Sequence, residues 1–103
     1  MSAHWDGLKA MTINFMHDLE KQELEELRYG IMRVVYSRRP AAMSGQGILM
    51  ALRHLTIECT VAKVEREADV LAGMGLLKME YEKLGSTKRW SMTAEGVLSV
   101  ERS

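Results

Sequence analysis

The side chains that could carry reactive chemistry are few, and their spacing limits what they can do. His54 and Cys59 are the nearest base and nucleophile, but they fall on a short break between periodic segments with no nucleophile-elbow motif around them. His4, His17 and His54 are far apart and lack the i, i+4 spacing and neighbouring acids of a helix-borne metal site such as HExxH. Gly45-Gln-Gly47 lacks the glycine and lysine that would follow in a phosphate-binding loop. The sequence therefore predicts no enzyme, no metal and no cofactor. Cys59 is the one cysteine, so it has no partner for an internal disulfide or a CxxC metal knuckle. A reducing, cytoplasmic setting and a small packed residue are the expectation for it.

A second kind of chemistry, recognition by charge and hydrogen bonding, has better candidates. Thr60, Lys63 and Arg66 recur at a spacing that turns them outward from a helix whose apolar positions are Val61, Val64, Ala68 and Leu71, with Glu67 near the edge of the same face. Lysine and arginine so placed would meet phosphates or guanine edges in a major groove, and Thr60 could accept from or donate to the nucleic-acid backbone. Lys88 and Arg89 form a second basic pair in a segment that alternates like a strand. Three acids, Glu65, Glu67 and Asp69, share the helix with Lys63 and Arg66, and any that faced phosphate would oppose counterion release. Over the whole chain 14 basic residues balance 14 acidic ones, so no general attraction to nucleic acid exists. Tyr29, Tyr36, Trp5 and Trp90 are not interleaved with a basic groove, so packing is their expected role rather than base stacking.

Positioning these residues needs a fold, and 103 residues with 47% hydrophobic and 27% charged content suit one domain with one core. No apolar run approaches the ~20 residues of a membrane helix. Nine methionines against one phenylalanine suggest a core filled by adaptable side chains. Residues 1–17 show no clear period, and Met11 to Met16 is open to reading as a strand, a helical turn or an ordered arm. From Asp18, Leu24, Leu27, Ile31 and Val34 follow a helical spacing that Pro40 ends. Acids crowd the first turns of this helix and arginines the last, as the macrodipole favours. Tyr29, Met32 and Tyr36 flank its leucine stripe and offer a face for a symmetric dimer.

Ser44 predicts an N-cap for a second helix that buries Ile48, Leu49, Leu52 and Leu55. After a break at residues 56–60 comes the helix bearing Lys63 and Arg66, which Gly73 or Gly75 would close in a left-handed turn. The period then changes to two: Leu77, Met79 and Tyr81 alternate with charged residues, Leu84 to Thr87 turns, and Lys88, Trp90 and Met92 alternate on the return. Thr93 caps a last helix from Ala94 to Val100. The expected fold is mainly α with a two-stranded β-hairpin, a winged helix-turn-helix over residues 18–103 preceded by an arm over residues 1–17.

Val70-Leu-Ala-Gly-Met-Gly-Leu-Leu, a charged hairpin and Trp90-Ser-Met-Thr-Ala-Glu-Gly-Val together resemble a signature shared by many bacterial winged-helix regulators, over about a third of the chain. Extended back through Arg28-Tyr-Gly-Ile-Met-Arg-Val-Val-Tyr and the two capped helices, the order is similar to that of small ArsR-like winged-helix proteins of Mu-like bacteriophages and prophages. Many ArsR-type regulators sense metals through paired cysteines, a pattern from which this chain departs. The resemblance implies the winged-helix fold, and with it the basic positions of the third helix and hairpin give the expectation of sequence-specific binding of double-stranded DNA by a homodimeric transcriptional regulator, with Thr60, Lys63, Arg66, Lys88 and Arg89 as contacts. The alternative is an adaptor whose winged helix docks a protein partner.

Overall fold

A computed structural model of the chain describes the backbone of residues 2–103 and the side chains of residues 18–103. His4, Trp5 and His17 thus lie outside the described side chains. Helix α1 runs Ser2–Arg38, so it begins well before the expected start at Asp18. The apolar period that marked the start is present where the described side chains of the helix meet the rest of the fold, and the helical backbone itself begins earlier in the chain. At 1.5 Å per residue its 37 residues span about 55 Å. Leu27, Ile31 and Val34 are buried as their spacing requires, and Met32 and Val35 join them. Met32 is 5% exposed, so it belongs to the core and not to a dimer face with Tyr29 and Tyr36. The helix stops two residues before Pro40, whose ring cannot continue it.

Strand β1, Met43–Ser44, follows and leads directly into α2, Gly45–His54. The Ser44 hydroxyl accepts the Gly47 N–H at 3.1 Å, the expected cap. Ile48, Leu49 and Leu52 are buried. Leu55 is not: it follows the helix, where the chain turns, and is 45% exposed. The turn carries Thr56 at φ 59 and leads to α3, Val61–Gly73. Thr60 caps α3 by accepting the Lys63 N–H at 3.2 Å. At the other end Leu76 N–H donates to the Leu71 carbonyl and Gly75 N–H to the Ala72 carbonyl, both at 3.0 Å. This is a Schellman closure, and of the two glycines Gly75, at φ 80, supplies the left-handed residue.

Strands β2, Leu77–Tyr81, and β3, Lys88–Met92, pair antiparallel with Met79 opposite Trp90. Strand β1 pairs with the other edge of β3 through Met43 and Trp90, giving the order β1-β3-β2. The expected two-stranded hairpin is therefore part of a three-stranded sheet, because two residues are too few to show an alternating period. Trp90, on the central strand, is fully buried with Ile31, Ile48, Leu52, Val35 and Val64. Helix α4, Ala94–Arg102, is capped by Thr93, whose hydroxyl accepts the Gly96 N–H at 3.0 Å. The Thr93 hydroxyl also lies 2.7 Å from the Gly75 carbonyl and 3.0 Å from that of Leu76. Among the described residues no helix is long and apolar enough to cross a membrane.

One charged side chain enters the interior. Glu67 of α3 is 5% exposed, and Arg28 Nε of α1 donates to its Oε2 at 2.8 Å. The expectation that Glu67 edges the outward face is corrected here: its methylenes pack inward and its carboxylate is satisfied by a neighbouring helix. A buried carboxylate without that partner would be costly, so this pair fixes α3 against α1.

Two stability predictions follow from these contacts. A Cβ at Gly96 would collide with the backbone carbonyl of Leu76, which has no room to yield. Gly96→Ala should cost about 2 kcal/mol even though alanine is the better helix former by about 1 kcal/mol, and should lower the melting temperature by roughly 10 °C. Thermal denaturation followed by circular dichroism reads this, and an unchanged or raised midpoint contradicts the close packing of α4 on Leu76. Arg28→Met strands a buried carboxylate and should cost about 2–3 kcal/mol, allowing for the partial exposure of Arg28. Glu67→Gln keeps an acceptor of the same shape and should cost about 1 kcal/mol or less. Urea unfolding of both variants checks the asymmetry, which equal or reversed costs would contradict.

Candidate nucleic-acid interface

Val64, Ala68 and Leu71 are buried, and their burial decides which way every other residue of α3 points. The three acids all end on its flanks or its inner side. Glu67 is held by Arg28. The side chain of Glu65 lies against α2 where Gly45 has none, its Cγ 2.5 Å from where a Cβ of residue 45 would stand. That places a carboxylate beside the N-terminus of α2, where the helix dipole favours it. Asp69 accepts from Lys88 Nζ at 3.0 Å through one oxygen and from Trp90 Nε1 at 3.3 Å through the other. The residues of α3 left exposed are Ala62, Lys63, Arg66, Val70 and Gly73, none of them acidic.

Lys63 and Arg66 are thus where the sequence placed them, on the open face and, among the described residues, without an ion-pair partner. Thr60 stands exposed at the start of the same helix. Its oxygen is engaged as the cap, which leaves the hydroxyl proton available for an acceptor outside the chain. Arg53, in the last turn of α2, was not picked out by the sequence reading. Its charge and that of Lys63 both act on the Cys59 thiol, which lies between them in the α2–α3 turn. Burial outweighs those two cations and pushes the thiol up, so Cys59 is a protonated, half-buried residue at neutral pH. On its other side Lys63 borders a groove lined by Glu23, Glu26 and Glu58, which limits the basic face toward α1.

The hairpin differs more from the expectation. Lys88 and Arg89 open β3 at the turn end of the wing, opposite Tyr81 and Glu80, and both are occupied. Lys88 is bound to Asp69. The hydrogen bond and charge of Asp69 hold the ammonium above the ordinary lysine range, with Tyr81 and Glu65 adding to the effect. Because the folded state raises this pKa, the contribution of the pair persists through neutral pH and is lost only as pH rises past the lysine range. Arg89 donates from Nε to Glu82 Oε1 at 2.6 Å and makes a second ion-pair contact with the same oxygen. At the tip Lys83 is exposed and, among the described residues, without an ion-pair partner, next to a fully exposed Leu84. Sequence order gave no sign of this, since the pairing partner of each hairpin cation is set by strand register and by the approach of α3. Among the described residues no three His, Cys, Asp or Glu side chains gather as a metal site would require.

At the level of sequence, no family model and no curated protein matches the chain. In three dimensions it is similar to Bacillus subtilis PadR in complex with operator DNA, with a TM-score of 0.61 and 17% identity over 74% of this chain and 45% of that one. It is likewise similar to S. aureus MepR in a MepR–DNA complex, at 0.61 and 20% identity over 92% and 77% of the two chains. A third neighbour is a PadR-family transcriptional regulator from Eggerthella lenta, at 0.59 and 24% identity over 84% and 80%. The chain thus spans less than half the length of the PadR chain and about three quarters of the other two. These likenesses are of fold, and the fold is the winged helix found in bacterial transcriptional regulators.

Proposed function

We propose that this protein binds double-stranded DNA as a small transcriptional regulator, with α3 in the major groove and the β2–β3 hairpin as the wing. The observation that carries the reading is the sorting of charge on α3: Glu67 and Asp69 are held by α1 and the wing and Glu65 lies against α2, while Lys63 and Arg66 remain open to solvent. A chain of zero net charge gains no general attraction to phosphate, so a local face cleared of carboxylates matters more than the total. Arg53 at the end of α2 extends the positive edge, Thr60 at the helix start adds a hydroxyl donor, and the neighbouring structures determined with DNA belong to the same fold.

In this reading the wing contributes in two ways. Lys88 and Arg89 set its shape through Asp69 and Glu82 and lend what positive field those pairs leave, while Lys83 at the tip meets a phosphate directly. The protein acts as a homodimer, which one short recognition helix would need for a long enough site, and the extended α1 is the element available to join two copies. A phage or prophage origin is the narrower form of the proposal and rests on the sequence resemblance alone.

Binding to a mixed-sequence duplex, followed by fluorescence anisotropy across a salt series, tests the reading. Lys63→Ala and Arg66→Ala should each weaken binding and reduce the salt slope by about 1, with folding intact because both side chains are exposed. Sedimentation of the free protein should give twice the monomer mass. Binding that is absent at low salt, or unchanged in both variants, removes the DNA assignment and leaves the protein-docking adaptor as the reading to pursue.

A further inference from the structure

The exposed face of α3 also restricts which bases it is able to read. We infer, building on the DNA-binding reading above, that it selects a half-site through guanine edges and thymine methyl groups, and not through adenine or cytosine hydrogen bonds. Ala62, Arg66 and Val70 follow one another at four-residue intervals and form a single exposed stripe, with Lys63 beside its first turn. The stripe spans about 12 Å along the helix, comparable to the width of the major groove. Its polar groups are donors only. Arg66 matches the paired acceptors N7 and O6 of guanine, and Lys63 matches the same acceptors or a phosphate.

Adenine and cytosine each ask for something this face lacks, and thymine does not. Adenine presents an acceptor beside a donor and is met by asparagine or glutamine, and no exposed residue of α3 is either one. Cytosine presents a donor and is met by a carboxylate, and no exposed residue of α3 is acidic: Glu67 is held by Arg28, Asp69 by Lys88 and Trp90, and Glu65 lies against α2. Thymine presents a methyl group, and Ala62 and Val70 are apolar side chains that make no demand on hydrogen bonding. Val70 is 37% exposed although it packs beside the core positions, so its outer methyl is available to a partner. The two apolar positions flank Arg66, which places a thymine methyl on either side of the guanine it reads.

The test uses the full chain and a random-sequence duplex library, from which the bound fraction is enriched, followed by single-atom changes in the winning duplex. Replacing thymine by deoxyuridine within the enriched half-site should weaken binding about fourfold for each methyl lost, the factor that burial of one such group supplies. Ala62→Gly or Val70→Ala should abolish the sensitivity at one of those positions. Replacing guanine by 7-deazaguanine should weaken binding in the native chain and have no effect in Arg66→Ala. Replacing adenine by 7-deazaadenine should leave binding unchanged. Loss of binding with 7-deazaadenine, or indifference to deoxyuridine, overturns the inference while leaving DNA binding standing. Salt-dependent binding that needs Lys63 and Arg66 but enriches no sequence also overturns it. Absence of any binding overturns both readings together.

Discussion

A carboxylate can be taken into a protein interior only if a charged partner or several donors go with it. Glu67 is where this chain meets that constraint, and Arg28 answers it from α1. The pair orients α3 about its own axis more strictly than apolar packing would, because leucine and valine tolerate some rotation and a buried ion pair tolerates little. With Glu67 turned inward, Glu65 falls toward α2 and Asp69 toward the hairpin. Asp69 there accepts from the Lys88 ammonium and the Trp90 indole, and Glu65 lies beside the N-terminus of α2. The outward face is left to the residues between them.

This arrangement reverses the weight that sequence gives to the basic residues. Read in order, α3 carries as much acid as base, whereas Lys88 and Arg89 stand together with little opposing them. In three dimensions Glu67 and Asp69 are paired with residues of other elements, and the partners of Asp69 are the wing's own Lys88 and Trp90. Lys88 is lent to Asp69, and Arg89 to Glu82. The hairpin is thereby fixed at a set angle to α3, so the wing's cations contribute position while those of the helix contribute free charge. A winged helix needs both, since a wing at the wrong angle cannot reach the backbone beside a groove that the helix occupies.

The elements themselves were largely legible. Caps at Ser44, Thr60 and Thr93, the left-handed glycine after α3 and the change of period at Leu77 are local signals, and each corresponds to a hydrogen bond or dihedral seen in the fold. What could not be read is long-range. Met43–Ser44 becomes a strand only because Trp90 lies beside it, Met32 is buried because α1 packs on more than one face, and Leu55 is exposed because the chain has already left the helix that its spacing continued. The site follows the same division. Lys63 and Arg66 were placed correctly since helical period alone sets them opposite Val64 and Ala68. The engagement of Lys88 and Arg89, and the freedom of Lys83 and Arg53, depend on which residues approach from elsewhere.

The zero net charge, which weighs against nucleic-acid binding when taken as a sum, carries a different meaning once the pairing is known. Among the described residues, four ion pairs join acids and bases: Arg28 with Glu67, Lys78 with Glu80, Lys88 with Asp69 and Arg89 with Glu82. Those charges cancel at contact distance and add little to the field a few ångströms away. Field at the surface comes from what remains, and near α3 what remains is positive on the open face and negative toward the groove of Glu23, Glu26 and Glu58. At physiological ionic strength screening cuts such fields off within about 8 Å, but Lys63 itself lines the acidic groove, so the carboxylates there offset the basic face on its α1 side. A duplex approaching α3 head-on meets Lys63 and Arg66 before it meets anything that repels it. An approach from the α1 side meets carboxylates first. In the proposed complex the same charge separation therefore also selects the direction of approach, which a uniformly basic domain would not do.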